Sequence, residues 1–78
     1  MREKLKLQPD QTLRKIGSTT DGFMGETDVS EFEIVNERGE VMGFVTYKEH
    51  MTVKGFRQTY SLVQKDLNQR IIVDQRWQ

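Results

Sequence analysis

The sequence predicts an all-β domain, a small antiparallel β-meander of about five strands forming an open twisted sheet or a small barrel. Three observations point there. Alanine, the best helix former, is absent, while Val, Ile and Thr together number 18 of 78 residues. Apolar and polar side chains alternate with period two through Glu31-Phe32-Glu33-Ile34. Apolar runs are separated by clusters of turn formers, as in FEIVNERGEVMGFVTY, Phe32 to Tyr47.

Taken in order, residues 1–11 read as a flexible arm. Residues 12–18 fit an opening strand; Pro9 and Gly17 would also bracket a two-turn helix, but neither end is strongly capped and composition favours β. Residues 18–29, with two glycines and several turn formers, read as a mobile acidic loop. Strands at 30–36 and 41–48 flank Asn36-Glu37-Arg38-Gly39, where Asn bonds its own backbone and Gly supplies φ > 0. A Glu37-Arg38-Gly39 loop pairs Asn36 with Glu40. Regular pairing from there sets Phe32 opposite Phe44 and Ile34 opposite Met42, an apolar stripe on one side. Residues 41–47, apolar on both faces, read as the central strand, with 31–35 half-exposed.

Residues 48–56 (KEHMTVKGF) fit a long loop or one helical turn. Strands at 56–64 and 70–77 then flank a second turn, Asp66-Leu67-Asn68-Gln69. A two-residue Leu67-Asn68 loop sets Val63 opposite Ile72; a three-residue loop shifts the pairing by one. The likeness of the two hairpins, at roughly 28-residue spacing, is what β-meanders converge on without duplication.

At 78 residues there is room for one domain, spanning 1–78. Such a chain buries only roughly 60–65% of its unfolded surface, and with no cysteine it has no disulfide or thiolate metal site to help. Tight packing or a partner chain must supply stability, which makes a homodimer an expected option. The start, MREKLKLQPDQ, has no apolar core of a signal peptide, and no apolar run nears the ~20 residues that span a bilayer. A cytoplasmic setting and no membrane partner are expected. Formal charge is zero but segregated: +3 over residues 1–17, −6 over 18–40 and +3 over 41–78.

No catalytic constellation is legible. His50 is the only histidine and reads as an exposed loop residue; nothing in the spacing joins it to Ser18, Ser30 or Ser61 in a triad. In DGFMGETDVSEFE, Asp21, Glu26, Asp28 and Glu31 have the wrong spacing for a calcium loop, and Phe23-Met24 fall at ligand positions. No metal or cofactor is expected. Two binding surfaces remain. One is acidic, Glu26, Asp28, Glu31 and Glu33, suited to a protein with a basic surface. The other, with Lys54, Arg57, Lys65, Arg70 and Arg76 among Phe56, Tyr60 and Trp77, would suit nucleic acid, with Arg57, Tyr60, Lys65 and Arg70 as its centre. Overall neutrality argues against a dedicated nucleic-acid binder, and Trp77 reads as a plug sealing the sheet.

The expected function is therefore a non-enzymatic protein-binding module acting by surface occlusion. Small cysteine-free chains of this kind are common among phage and mobile-element inhibitors of host nucleic-acid-binding defence complexes, anti-CRISPR proteins included. That is an expectation about a class, resting on size and composition.

Overall fold

In the computed structural model, which describes residues 4–22, 26–52 and 57–78, five antiparallel strands follow one another across a single open sheet. They are β1 (Thr12–Asp21), β2 (Thr27–Val35), β3 (Val41–Thr52), β4 (Arg57–Asp66) and β5 (Ile71–Trp77), in spatial order β1-β2-β3-β4-β5. The open sheet is thus the form adopted, and β3 is its centre.

The two described turns share one design. Asn36 accepts from the backbone N–H of Arg38 (2.9 Å) and Glu40 (3.0 Å) through Oδ1, and Asp66 accepts likewise from Asn68 and Arg70 (2.9 Å each). In each, the third loop residue adopts positive φ, Gly39 at 81° and Gln69 at 66°. The residues flanking the loop then pair through backbone bonds, Asn36 with Glu40 and Asp66 with Arg70. The second loop therefore has three residues, Leu67, Asn68 and Gln69. Equivalent positions lie 30 apart (36 and 66, 39 and 69, 42 and 72), rather than at the expected spacing.

Each hairpin also carries a β-bulge just past its turn. Val35 pairs with Val41 but Ile34 with Gly43, so Met42 is the extra residue; Lys65 pairs with Ile71 but Gln64 with Val73, so Ile72 is extra. The bulge moves the register by one. Phe32 consequently faces Val45, not Phe44, and Ile34 faces Gly43, not Met42. The expected stripe of Phe32, Ile34, Met42 and Phe44 is broken, because Met42 leaves the ladder and Phe44 turns to the other face. Gly43 makes the new pairing possible: a Cβ there would lie 2.7 Å from the Lys65 carbonyl oxygen, and Ile34 Cδ1 already approaches its position.

Three further expectations change. Ser18–Asp21 and Thr27–Val29, placed in a loop by composition, are strand, because their Thr, Ser and Val side chains suit a β-ladder that continues to Asp21 opposite Thr27. Lys48–Thr52 continue β3 because both neighbours hydrogen-bond to it, Thr27 opposite His50 and Arg57 opposite Thr52. Residues 53–56, and with them Lys54 and Phe56, lie outside the described residues, as do Phe23 and Met24.

The third change concerns the N-terminal arm. Lys4 to Leu7 lie across one face of the sheet, where Leu5 joins Ile34, Val45 and Leu62 in the buried cluster, ringed by Leu7, Leu13, Phe32, Tyr47 and Trp77. Gln64, only 2% exposed, holds the arm: its Oε1 accepts from the Lys6 N–H and its Nε2 donates to the Lys6 carbonyl, both at 2.8 Å. A side-chain amide so placed does for one residue what a neighbouring strand would do. Replacing Gln64 with Ala strands both backbone groups of Lys6 at about 1–3 kcal/mol each. Urea unfolding of Gln64→Ala should show a loss of about 2–6 kcal/mol, whereas exposed Gln75→Ala on the same face should stay within about 0.5 kcal/mol of the parent.

Candidate functional site

Because strand side chains alternate between faces, the registers sort every residue of the sheet. The core face carries Phe32, Val45, Gln64 and Val73 in one cross-strand row, and Ser30, Tyr47, Leu62 and Gln75 in the next. A third row on that face brings Asp28, Glu49, Tyr60 and Trp77 together. The other face has no covering segment among the described residues, and its rows define the candidate site.

One end of this open face is apolar with charges of both signs. Arg14, Glu33, Phe44, Lys65 and Ile71 form one row, and Gly17, Glu31, Thr46, Val63 and Asp74 the next. Ile71 is 58% exposed, and Ile16, ejected at a bulge in β1 between Lys15 and Gly17, is 49% exposed. Ile16, Glu31, Phe44, Thr46 and Lys65 line a shallow hollow of about 230 Å³. Arg14 Nη2 donates to Glu33 Oε2 at 3.0 Å, an ion pair at the surface worth little to stability.

Toward the other end the rows become polar: Thr19, Val29, Lys48, Ser61 and Arg76, then Asp21, Thr27, His50 and Thr59. These rows border a trough of about 580 Å³ lined by Thr27, Lys48, His50, Thr59, Ser61 and Arg76 together with Tyr60, Trp77 and Gln78. His50 Nδ1 lies 2.7 Å from the Thr27 hydroxyl.

The acidic quartet expected to act together is divided. Glu31 and Glu33 lie on the open face, Asp28 lies on the core face where it accepts from the Thr20 hydroxyl at 3.2 Å, and Glu26 precedes β2. The basic–aromatic set is divided by the same alternation. Arg57 and Lys65 lie on the open face, Tyr60 on the core face, and Arg70 flanks a turn. Rings and cations thus point to opposite sides, and no stacking platform forms from them. Tyr60, Trp77 and Tyr47 instead stack on one another, with centroids 5.5–6.4 Å apart, and Lys4 Nζ sits 4.6 Å over Trp77. Trp77, partly buried, packs against the core cluster, in keeping with its reading as a plug rather than a stacking ring.

His50 is exposed, on a strand rather than in a loop, and no carboxylate hydrogen-bonds to it among the described residues. Nor do three or more His, Asp or Glu side chains gather to hold a metal among those residues. The trough was missed by sequence reasoning. Its one local signal was the alternation Lys48-Glu49-His50 and Thr59-Tyr60-Ser61, which places partners on one face only once residues 48–52 are known to be strand.

No protein family matches the chain. No curated protein is significantly similar to it, and no solved structure shares its fold at a significant level. Among the described residues no helix is long and apolar enough to cross a membrane.

One titration follows from the core-face rings. Burial, a hydrogen bond to Glu49 and the charges of Glu49 and Tyr60 push the Tyr47 phenol up from 10.0 to about 12. Between these values the folded chain keeps a proton that the unfolded chain has released, so stability falls as pH rises through the window. Thermal melts across it should show a shallower decline for Tyr47→Phe than for the parent.

Proposed function

We propose that this protein is a non-enzymatic protein-binding module whose contact surface is the open face of its sheet. The observation that supports this is the unequal treatment of the two faces: one is packed beneath Leu5 and Leu7, while the other leaves Ile16 and Ile71 in solvent beside Phe44 and Val63. Apolar side chains edged by Arg14, Lys65, Glu31, Glu33 and Asp74 suit the mixed chemistry of a protein surface better than a uniformly charged polymer. Glu31 is then the exposed acidic group available to a basic partner, Glu33 being paired with Arg14, while Asp28 turns away with the core face. A second copy of the chain is one partner this face would accept. A cysteine-free chain suits the cytoplasm, and inhibition of a host defence complex by occlusion is the biological role we favour on size and composition.

The test is a Phe44→Lys/Ile71→Lys double variant, which places two charges on the open face and leaves the core face alone. Light scattering and affinity capture from the native host should show the parent with a partner, itself or another protein, that the variant loses at least tenfold in affinity. A parent that is monomeric and captures nothing beyond what the variant captures would overturn the proposal.

A second reading, nucleic-acid binding, is favoured by the collection of Lys48, Arg57, Lys65 and Arg76 on one face. It predicts oligonucleotide affinity that falls steeply with salt as counterions are released. A flat titration with single-stranded and duplex oligonucleotides at about 50 mM salt would remove it.

A further inference from the structure

The trough on the open face is assembled from four strands. β2 contributes Thr27, β3 contributes Lys48 and His50, β4 contributes Thr59 and Ser61, and β5 contributes Arg76. The registers put Lys48, Ser61 and Arg76 in one row and Thr27, His50 and Thr59 in the adjacent row. Lys48 and Arg76 therefore stand two strand spacings apart, about 10 Å, with a serine hydroxyl between them. Neither has an ion-pair partner among the described residues, whereas Arg14 on the same face is paired with Glu33. Among the described side chains no Asp or Glu lines the trough; Asp21 stands next to Thr27 in the register, at the outer end of that row. Thr27 engages His50 at Nδ1, which fixes the ring and leaves Nε2 for a ligand. Thr59 donates its hydroxyl to the His50 carbonyl at 3.4 Å, so it supports the site rather than serving it.

From this arrangement we infer that the trough binds a phosphate monoester carried by a small, nucleotide-sized molecule. Two cations with no ion-pair partner among the described residues, set either side of a hydroxyl, create a positive hollow that an anion relieves. The donors differ in kind: a planar guanidinium fork, a point-like ammonium and a hydroxyl, joined by His50 Nε2–H in the tautomer whose Nδ1 accepts from Thr27. A tetrahedral phosphate with three terminal oxygens can take up donors converging from several directions, where a carboxylate offers two oxygens in one plane. The trough's volume of about 580 Å³ is that of a small-ligand site rather than a track for a polymer. A single-stranded nucleic acid would also need free rings to stack on, and the two that line the trough, Tyr60 and Trp77, are stacked on each other. The inference is independent of the protein-binding reading, which rests on the apolar end of the same face.

The test is a titration of the protein with adenosine monophosphate, inorganic phosphate and adenosine, read by two-dimensional amide NMR. Adenosine monophosphate should saturably shift the amides of Lys48, His50, Ser61 and Arg76, inorganic phosphate should shift the same amides more weakly, and adenosine should leave them in place. Lys48→Ala/Arg76→Ala should raise the Kd for adenosine monophosphate at least about tenfold and Ser61→Ala about threefold, with circular dichroism unchanged. If the double variant fails to fold, Lys48→Gln and Arg76→Gln carry the same test singly. Phe44→Lys/Ile71→Lys should bind adenosine monophosphate as the parent does, which separates this site from the protein-contact surface. Shifts that map elsewhere, equal binding of adenosine, or unchanged affinity in the charge variants would overturn the inference. So would an oligonucleotide without terminal phosphate that displaces adenosine monophosphate at lower concentration, since the site would then serve phosphodiesters.

Discussion

Everything in this small domain depends on covering one face of a five-stranded sheet with only a few residues of chain. A lone sheet has two faces to shield, and the described residues supply no α-helix for either. The solution is a short arm, Lys4 to Leu7, pinned by the Gln64 amide and weighted by Leu5. A buried polar side chain is usually a cost. Here it is fully used, and no buried side-chain nitrogen or oxygen among the described residues lacks a partner. The arm fixes which face becomes interior and which stays open to solvent.

Much of the fold was written in local chemistry. Absence of alanine, the β-branched content and the Asn36-to-Gly39 turn each act on neighbouring residues, and each strand pairs only with the next in sequence. The bulges were not legible. A period-two pattern carries no mark of one inserted residue, so Met42 and Ile72 read as ordinary ladder positions until the pairing showed them outside it. Nor was the buried role of Gln64, since a glutamine in a strand is normally turned to water.

The candidate site was less legible than the fold for a geometric reason. Residues close in sequence are divided between faces by the pleat, which is why Asp28 parts from Glu31 and Glu33, and Tyr60 from Arg57. Residues remote in sequence are joined by register, which is how Thr27, Lys48, Ser61 and Arg76 come to share one hollow. A charge run along the chain is therefore a poor guide to a charge patch on a sheet; the rows across strands decide it.

The bulge at Ile16 in β1 and that at Ile72 in β5 fall on the two outermost strands. An outer strand with an unbroken row of backbone groups invites another chain to extend the sheet indefinitely. An inserted residue on each border spoils that template by throwing the backbone out of phase partway along. The domain can leave an oily surface in water while denying its copies the edge-to-edge pairing that leads to fibres.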